Sequence, residues 1–321
     1  MRARRRMGRG AVVASLVCSV IVAGSRADVP EARAGSPEPI RVAAVGDIAC
    51  KNPPGNNRSV CRYDDVAATI AAGDYDKLLL LGDIQYEYGR YRDFIENYDV
   101  YWGGLLPISA PAAGNHDWGT DGAAGYFRYF AERAPGPWYS FDLGSWHVLV
   151  ADSTLCRSAG TDCGPGSEQY EWLKADLAAS DATCTIAMWH HPRWDWLKYQ
   201  NADWTRDYEL RRTSPLFRLA YRSGVDVLLV GHNHNYSRWM PTDPSGAFDP
   251  DRGITQYISG AGGRNLNAFG NFHTRPDVFV RGQSAAFGFV ELRLFDAGWE
   301  SSWVSAQGQP AYLDEAAGTC H

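Results

Sequence analysis

KLLLLGDIQY, residues 77–86, is an unbroken leucine run closed by a glycine, an aspartate and, three residues further on, a tyrosine. A short apolar run stopped by Gly reads as a strand buried on both faces, the kind a parallel sheet needs. The same grammar recurs outward in both directions. IRVAAVGD (40–47) ends in Gly46-Asp47, and LPISAPAAGNHD (106–117) ends in Gly114-Asn115-His116-Asp117. TIAMWHHP (185–192) runs into His190-His191, and VDVLLVGHNH (225–234) into Gly231-His232-Asn233-His234. Strands are therefore expected at Ile40–Val45, Lys77–Leu81, Leu106–Ala112, Thr185–Trp189 and Val225–Val230.

Helical spacing covers Tyr91–Trp102, Ser167–Ala179 and Pro215–Ser223, so strand and helix alternate as in βαβ units. Trp138–Leu143 and Trp146–Asp152 read as a hairpin across Gly144-Ser145. Ile254–Ser259, Ala286–Leu294 and Glu300–Val304 read as strands without helices between them. An α/β architecture whose later part is antiparallel is the expectation.

Functional groups of α/β proteins collect where loops converge beyond the carboxyl ends of strands. Here each of five strand ends delivers Asp, Asn, Tyr or His, and five of the eight His lie in three of those clusters. Carboxylate, imidazole and amide oxygen together suit iron, zinc or manganese. An Asp can bridge two ions about 3.5–4 Å apart, as two-metal hydrolases require. Each motif alone has a bland reading: Gly-Asp dipeptides are usually turns and a lone Tyr usually packs. The ordered set of five is what points to a metal site.

Composition bounds the rest. The 321 residues are 45% hydrophobic and 21% charged, enough for a large core and unlike a disordered chain. The formal net charge is −6, and the first 27 residues carry six Arg and no acid, so a chain without them stands at about −12. Such a body repels phosphate backbones and excludes a general nucleic-acid binder. A phosphate substrate then needs a locally positive site, which metal ions supply. Residues 1–27 read as an export signal, with a basic Arg2–Arg9 region and a short apolar stretch Ala11–Gly24. Residues 28–39 read as a flexible leader, 40–321 as a single catalytic domain, and no membrane association is expected once the signal is gone. Outside the signal stand Cys50, Cys61, Cys156, Cys163, Cys184 and Cys320, an even set suited to disulfides in an exported chain. Short spacing favours Cys50–Cys61 and Cys156–Cys163, which leaves Cys184–Cys320, although six Cys admit many other pairings.

Taken in order, GDIA, GDIQY, GNHD, WHHP and GHNH resemble the calcineurin-like metallophosphoesterases, and more narrowly the purple acid phosphatase branch. Most of that superfamily opens on Asp-x-His; here Ala49 holds the His position, and Tyr86 follows the second Asp by three, the replacement that marks the purple branch. The similarity runs from about Arg41 to Val304, through Tyr236, Arg238, Ser259–Gly263 and Phe287–Phe289.

What the resemblance implies is specific. The fold would be a four-layer α/β/β/α sandwich with two mixed sheets. One metal would take Asp47, Tyr86 and His234, and the other Asn115, His190 and His232, with Asp83 bridging. The pair would be Fe(III) with a divalent Fe, Zn or Mn ion. A metal-bound hydroxide would attack a small phosphate monoester while His116 protonates the leaving oxygen. Arg264, beside the glycine run Gly260–Gly263, is a further candidate for phosphate contact. The family's extra substrate-facing His after the fourth motif is missing; Trp194, Trp196, Tyr199 and Trp204 stand there instead. A phosphodiesterase or nucleotide hydrolase using the same metals, and a metal-stabilised binder without catalysis, are the competing readings.

Overall fold

The computed structural model describes residues 38–52, 61–157, 162–197, 212–269, 272–273 and 276–321. Pro39–His321 forms one compact unit. The expected signal 1–27, nearly all of the leader 28–39, and Tyr199 and Trp204 lie outside the described residues.

Fifteen strands follow the chain among the described residues: β1 (Ile40–Val45), β2 (Lys77–Leu81), β3 (Ser109–Ala112), β4 (Tyr139–Leu143), β5 (Trp146–Val150), β6 (Cys184–Met188), β7 (Trp196–Leu197), β8 (Val227–Val230), β9 (Tyr236–Trp239), β10 (Thr255–Ser259), β11 (Phe272–His273), β12 (Phe279–Gln283), β13 (Gly288–Phe295), β14 (Gly298–Ser305) and β15 (Glu315–Thr319). The helices are α1 (Tyr63–Ala72), α2 (Tyr91–Asp93), α3 (Asp99–Trp102), α4 (Ala124–Phe130), α5 (Glu168–Ala179) and α6 (Ser214–Arg222). A π turn, Phe94–Tyr98, joins α2 to α3, so the expected helix 91–102 is present with a widened middle.

Two sheets carry the unit, in the orders β15-β14-β13-β1-β2-β3 and β12-β9-β10-β8-β6-β5-β4. In the first, β1, β2 and β3 are parallel and β13, β14 and β15 run antiparallel. In the second, β5, β6, β8 and β10 are parallel, flanked by antiparallel β4, β9 and β12.

Strand parity builds the layers. Successive side chains of a strand point to opposite faces, so a run that is apolar throughout must be covered on both. Val42, Ala44, Leu79 and Leu81 face Trp146, Val148, Val150, Ile186, Met188, Val227 and Leu229 across the gap between the sheets. The alternate residues Ala43, Val45, Leu78 and Leu80 pack under Tyr63, Val66, Ile70, Trp102, Tyr126 and Phe130 of the first helical layer. Leu149, Ala187, Leu228 and Val230 pack under Leu173, Leu177, Leu216 and Phe217 of α5 and α6. Helix, sheet, sheet and helix thus make four layers. Truncating a residue such as Leu79, fully buried between the sheets, to Ala costs about 2–5 kcal/mol.

Three disulfides close the unit, Cys50–Cys61, Cys156–Cys163 and Cys184–Cys320. The last ties β6 to the segment behind β15 and so joins the two sheets. The strand expected over Leu106–Ala112 is shorter: Gly103–Ile108 coils into a 3-10 turn containing Pro107, whose ring removes a ladder donor. Trp194 is buried, donates to Thr242 Oγ1 at 2.9 Å and packs on Phe217, while Trp196 stands edge-on to Phe279, so both serve the core.

Candidate metal centre

The carboxyl ends of parallel strands from both sheets point to one place. Asp47 follows β1, Asp83 and Tyr86 follow β2, Asn115 and His116 follow β3, His190 follows β6, and His232 and His234 follow β8. Backbone bonds stitch the rim: Asp47 N–H donates to Gly82 O at 3.0 Å, and Gly231 N–H to His190 O at 3.0 Å.

Asp47, Asp83 and His232 all have left-handed backbones, with φ of 60°, 50° and 69°. Non-glycine residues pay strain there and hold it only where their surroundings enforce it, most often at functional sites. The glycines beside them have a different task, close approach. A Cβ on Gly82, itself at φ +86°, would lie 2.6 Å from His190 Nδ1; one on Gly231 would lie 2.7 Å from Asp47 Oδ2.

Tautomers then fix where the lone pairs go. His190 Nδ1–H donates to Leu81 O at 2.8 Å, and His234 Nδ1–H donates to Asn265 O at 2.7 Å. Each neutral ring is left with a lone pair on Nε2, the arrangement of a histidine held for a metal. His190 Nε2 looks at Asp83 Oδ2 and His232 Nδ1, both at 3.3 Å. His234 Nε2 looks at Asp47 Oδ1 at 3.3 Å and at the Tyr86 hydroxyl at 2.9 Å. That hydroxyl also touches Asp47 Oδ1 at 2.9 Å and Asp83 Oδ2 at 3.2 Å. One phenolic proton cannot serve three acceptors. Asn115 Oδ1 is buried with no hydrogen-bond partner at all. Acceptors outnumber protons here, and cations would resolve the excess.

Electrostatics agree. Burial, Asp47 and Asp83 push the Tyr86 phenol well above its usual pKa, so its proton leaves only in favour of another cation. Burial disfavours a charged His190, but Asp83 and Asp47 outweigh it and raise the ring to about 9. The two carboxylates recruit positive charge from whatever is nearest.

His116 stands at the rim, its side chain 31% exposed. Its Nδ1–H donates to Glu87 O at 2.7 Å, which leaves Nε2 on the Asp83 side at 3.9 Å. Arg264 comes to the same rim: its N–H donates to Asp47 O at 3.0 Å and its guanidinium carbon lies 4.8 Å over the Tyr86 ring. Ala49 is fully buried and its carbonyl accepts the Tyr86 N–H at 2.9 Å. The structure therefore brings Asp47, Asp83, Tyr86, His190, His232 and His234 into contact, with Asn115 on the loop that His116 N–H ties to Asp83 Oδ1 and with His116 and Arg264 beside them.

Other groups serve the same centre without having been anticipated from the sequence. Asp117, fully buried, accepts Gly114 N–H at 2.9 Å, Ile84 N–H at 3.1 Å and Gln85 N–H at 3.2 Å. It locks the Asp83 loop to the Asn115 loop. Burial and the nearby Asp83 push its carboxyl up to about 7 against those amide bonds. Asp152, behind β5, accepts Trp118 Nε1–H at 2.7 Å and Thr154 N–H at 2.8 Å. His191 lies close to His190 and His232, but both its ring nitrogens are engaged: Arg212 donates to Nε2, and Nδ1 pairs with Ser153 Oγ at 2.9 Å. His147 lies between Asp142 at 2.8 Å and Asp176 at 2.9 Å, far along the strand from the site, and His321 pairs with Asp226. A glycine, asparagine and histidine run announces a turn; which carboxylate knots it to its neighbour is visible only in three dimensions.

Comparison with known proteins meets this geometry. A family model described as calcineurin-like phosphoesterase matches residues 40–236. The probable inactive purple acid phosphatase 27 of Arabidopsis thaliana is 27% identical over 259 residues, covering 69% of this chain and 39% of its own length. A nucleotide pyrophosphatase/phosphodiesterase of Hordeum vulgare is 25% identical over 265 residues, covering 70% of this chain and 66% of its own. The chain thus spans less than two-thirds of the length of either relative. Among solved structures, purple acid phosphatase PPD1 from yellow lupin (Lupinus luteus) seeds shares the fold, with a TM-score of 0.66 and 21% identity over 88% of this chain and 55% of that one. With more than half of its length matched by the family model and its ligand-type residues gathered at one rim, the chain belongs to the calcineurin-like phosphoesterases, in their purple acid phosphatase-like branch.

Proposed function

We propose that the chain is a two-metal phosphoesterase that hydrolyses small phosphate monoesters. The observation that carries this reading is the convergence of fixed lone pairs and buried acceptors on one spot, with Asn115 Oδ1 left without a partner. Contacts support two groupings. Asp47, Tyr86 and His234 meet around the phenolic oxygen, and His190 and His232 meet at 3.3 Å. Asn115, with its buried Oδ1 unpartnered, is assigned to the second on the family resemblance. Asp83 Oδ2 touches both sets, at Tyr86 and at His190, which supports its role as the bridge. Tyr86 in place of a histidine at position 49 favours Fe(III) beside a divalent Fe, Zn or Mn ion. Such a pair, when bound, acidifies a water molecule and neutralises phosphoryl charge.

The residues do the rest. Glu87 O holds the His116 ring so that Nε2 faces the site, where it can give a proton to the leaving oxygen, a step worth about 10²–10⁴-fold. Three disulfides support export and the reading of residues 1–27 as its signal. Among the described residues no helix is long and apolar enough to cross a membrane.

The relative from Hordeum vulgare, by its name, favours a second reading as a nucleotide or diester hydrolase. Steady-state kinetics of the metal-loaded protein on p-nitrophenyl phosphate and bis(p-nitrophenyl) phosphate separates the two. The monoester is expected to show the larger kcat/KM; a larger value on the diester reverses the assignment. Absence of turnover on both supports the non-catalytic reading instead.

A further inference from the structure

Arg264 reaches the mouth of the centre already engaged. Its Nη2 donates to Glu87 Oε1 at 2.6 Å, with side-chain exposures of 27% and 30% for the two partners. Neither is a passing surface residue. Arg264 is fixed by its N–H on Asp47 O, and its guanidinium covers the Tyr86 ring. Glu87 follows Tyr86 in the chain, and its main-chain carbonyl orients His116. The pair therefore sits beside Asp47 and Tyr86, two groups of one expected metal position, and at the rim next to His116. Glu87 offsets the charge of Arg264 beside a centre meant to attract anions, and its Oε2 lies 3.9 Å from His116 Nδ1.

A guanidinium forks phosphoryl oxygens well, but here an arriving anion must first displace a carboxylate. The displaced carboxylate stays close by and repels a dianion about twice as strongly as a monoanion, since the interaction scales with the charge. We propose that Glu87 and Arg264 form a specificity-determining pair. Arg264 is the contact for phosphoryl oxygens, and Glu87 is its built-in competitor. The pair thereby moderates the advantage that Arg264 alone would give dianionic monoesters over monoanionic diesters. This inference rests on the phosphoesterase reading and deepens it.

Binding to the full-length, metal-loaded protein tests it without relying on turnover. Calorimetric titrations at pH 8 with inorganic phosphate, mostly a dianion, and with dimethyl phosphate, a monoanion, are compared for the native chain, Glu87→Gln, Arg264→Gln and Arg264→Lys. Arg264→Gln is expected to weaken phosphate binding about 10-fold, with partial recovery in Arg264→Lys, which keeps the charge and loses the fork. Glu87→Gln is expected to tighten phosphate about 5-fold and dimethyl phosphate about 2-fold, the scale of a partly exposed ion pair. Preference for the dianion therefore widens. A pair that only cements two loops would weaken both ligands in every variant. That result, no change in Glu87→Gln, or a native chain that binds neither anion overturns the proposal. A native chain that binds phosphate but hydrolyses neither ester defeats the phosphoesterase reading, and the titrations still decide on the pair.

Discussion

Asp117→Asn changes one oxygen to an NH2 group and leaves shape untouched, so its cost isolates the hydrogen bonds that this buried carboxylate accepts. Asp117 Oδ1 takes Ile84 and Gln85, and Oδ2 takes Gly114 and a share of Ile84. Asparagine keeps one acceptor. With Oδ1 retained toward Ile84 and Gln85, its new NH2 faces the Gly114 N–H, donor against donor, with water excluded. Two buried donors then lack partners, at about 1–3 kcal/mol each. The expected destabilisation is therefore about 2–6 kcal/mol, read at pH 9, where the carboxyl raised to about 7 is ionised. Urea unfolding of the native and variant proteins, both fully metal-depleted, measures it; a further loss of metal affinity should appear on titration, because Asp83 and Asn115 lie on the two loops that Asp117 joins. A destabilisation under about 0.5 kcal/mol, or metal affinity equal to the native value, refutes the reasoning.

Two other perturbations probe independent parts of the account. Gly231→Ala places a methyl 2.7 Å from Asp47 Oδ2, so metal content and activity should both fall at least about 10-fold while the far core stays folded, checked by metal analysis and circular dichroism. His147 is raised above its ordinary pKa: burial opposes its charge, but Asp142 and Asp176 hydrogen-bond the charged ring and win. A raised folded-state pKa stabilises fully below the unfolded value near 6.5 and fades as pH climbs through the folded value. His147→Gln should therefore lose most stability near pH 5.5, and the deficit should shrink by pH 9, as read by urea unfolding at both values.

Much of this architecture was legible because the sheets are buried on both faces. Unbroken runs such as residues 78–81 admit one reading, and the Gly-Asp or Gly-Asn behind three of the five runs marks where a strand must stop beside a ligand. Of the antiparallel strands, β4, β13 and β14 were readable, and β7, β9, β11, β12 and β15 were not. β15, Glu315–Thr319, has little apolar character and alternates exposed with half-buried residues; it is a strand only because β14 supplies its ladder. α1 was missed for a similar reason. Its buried stripe Tyr63, Val66, Ala67 and Ile70 is helical in spacing, but its small alanines make a faint signal. Leu106–Ile108 misled in the other direction, since an apolar run around Pro107 looks like strand and coils instead.

At the site, residue types carried the information and partners did not. Five loops rich in Asp, Asn, Tyr and His pointed to metals before any contact was known. Nothing local in the sequence said that Asp117 would knot two of those loops, that Glu87 would hold Arg264, or that Arg212 would cap His191. These depend on which loops meet, and that follows from pairings such as β1 with β13, about 250 residues apart.

Metal analysis with a visible spectrum, on the native protein and on Tyr86→Phe, tests the central claim most directly. Two ions per chain including iron are predicted, with a visible absorption from tyrosinate on Fe(III) that disappears in Tyr86→Phe. Fewer than one ion per chain would contradict the two-metal centre, and an absorption that survives in Tyr86→Phe would remove Tyr86 from it.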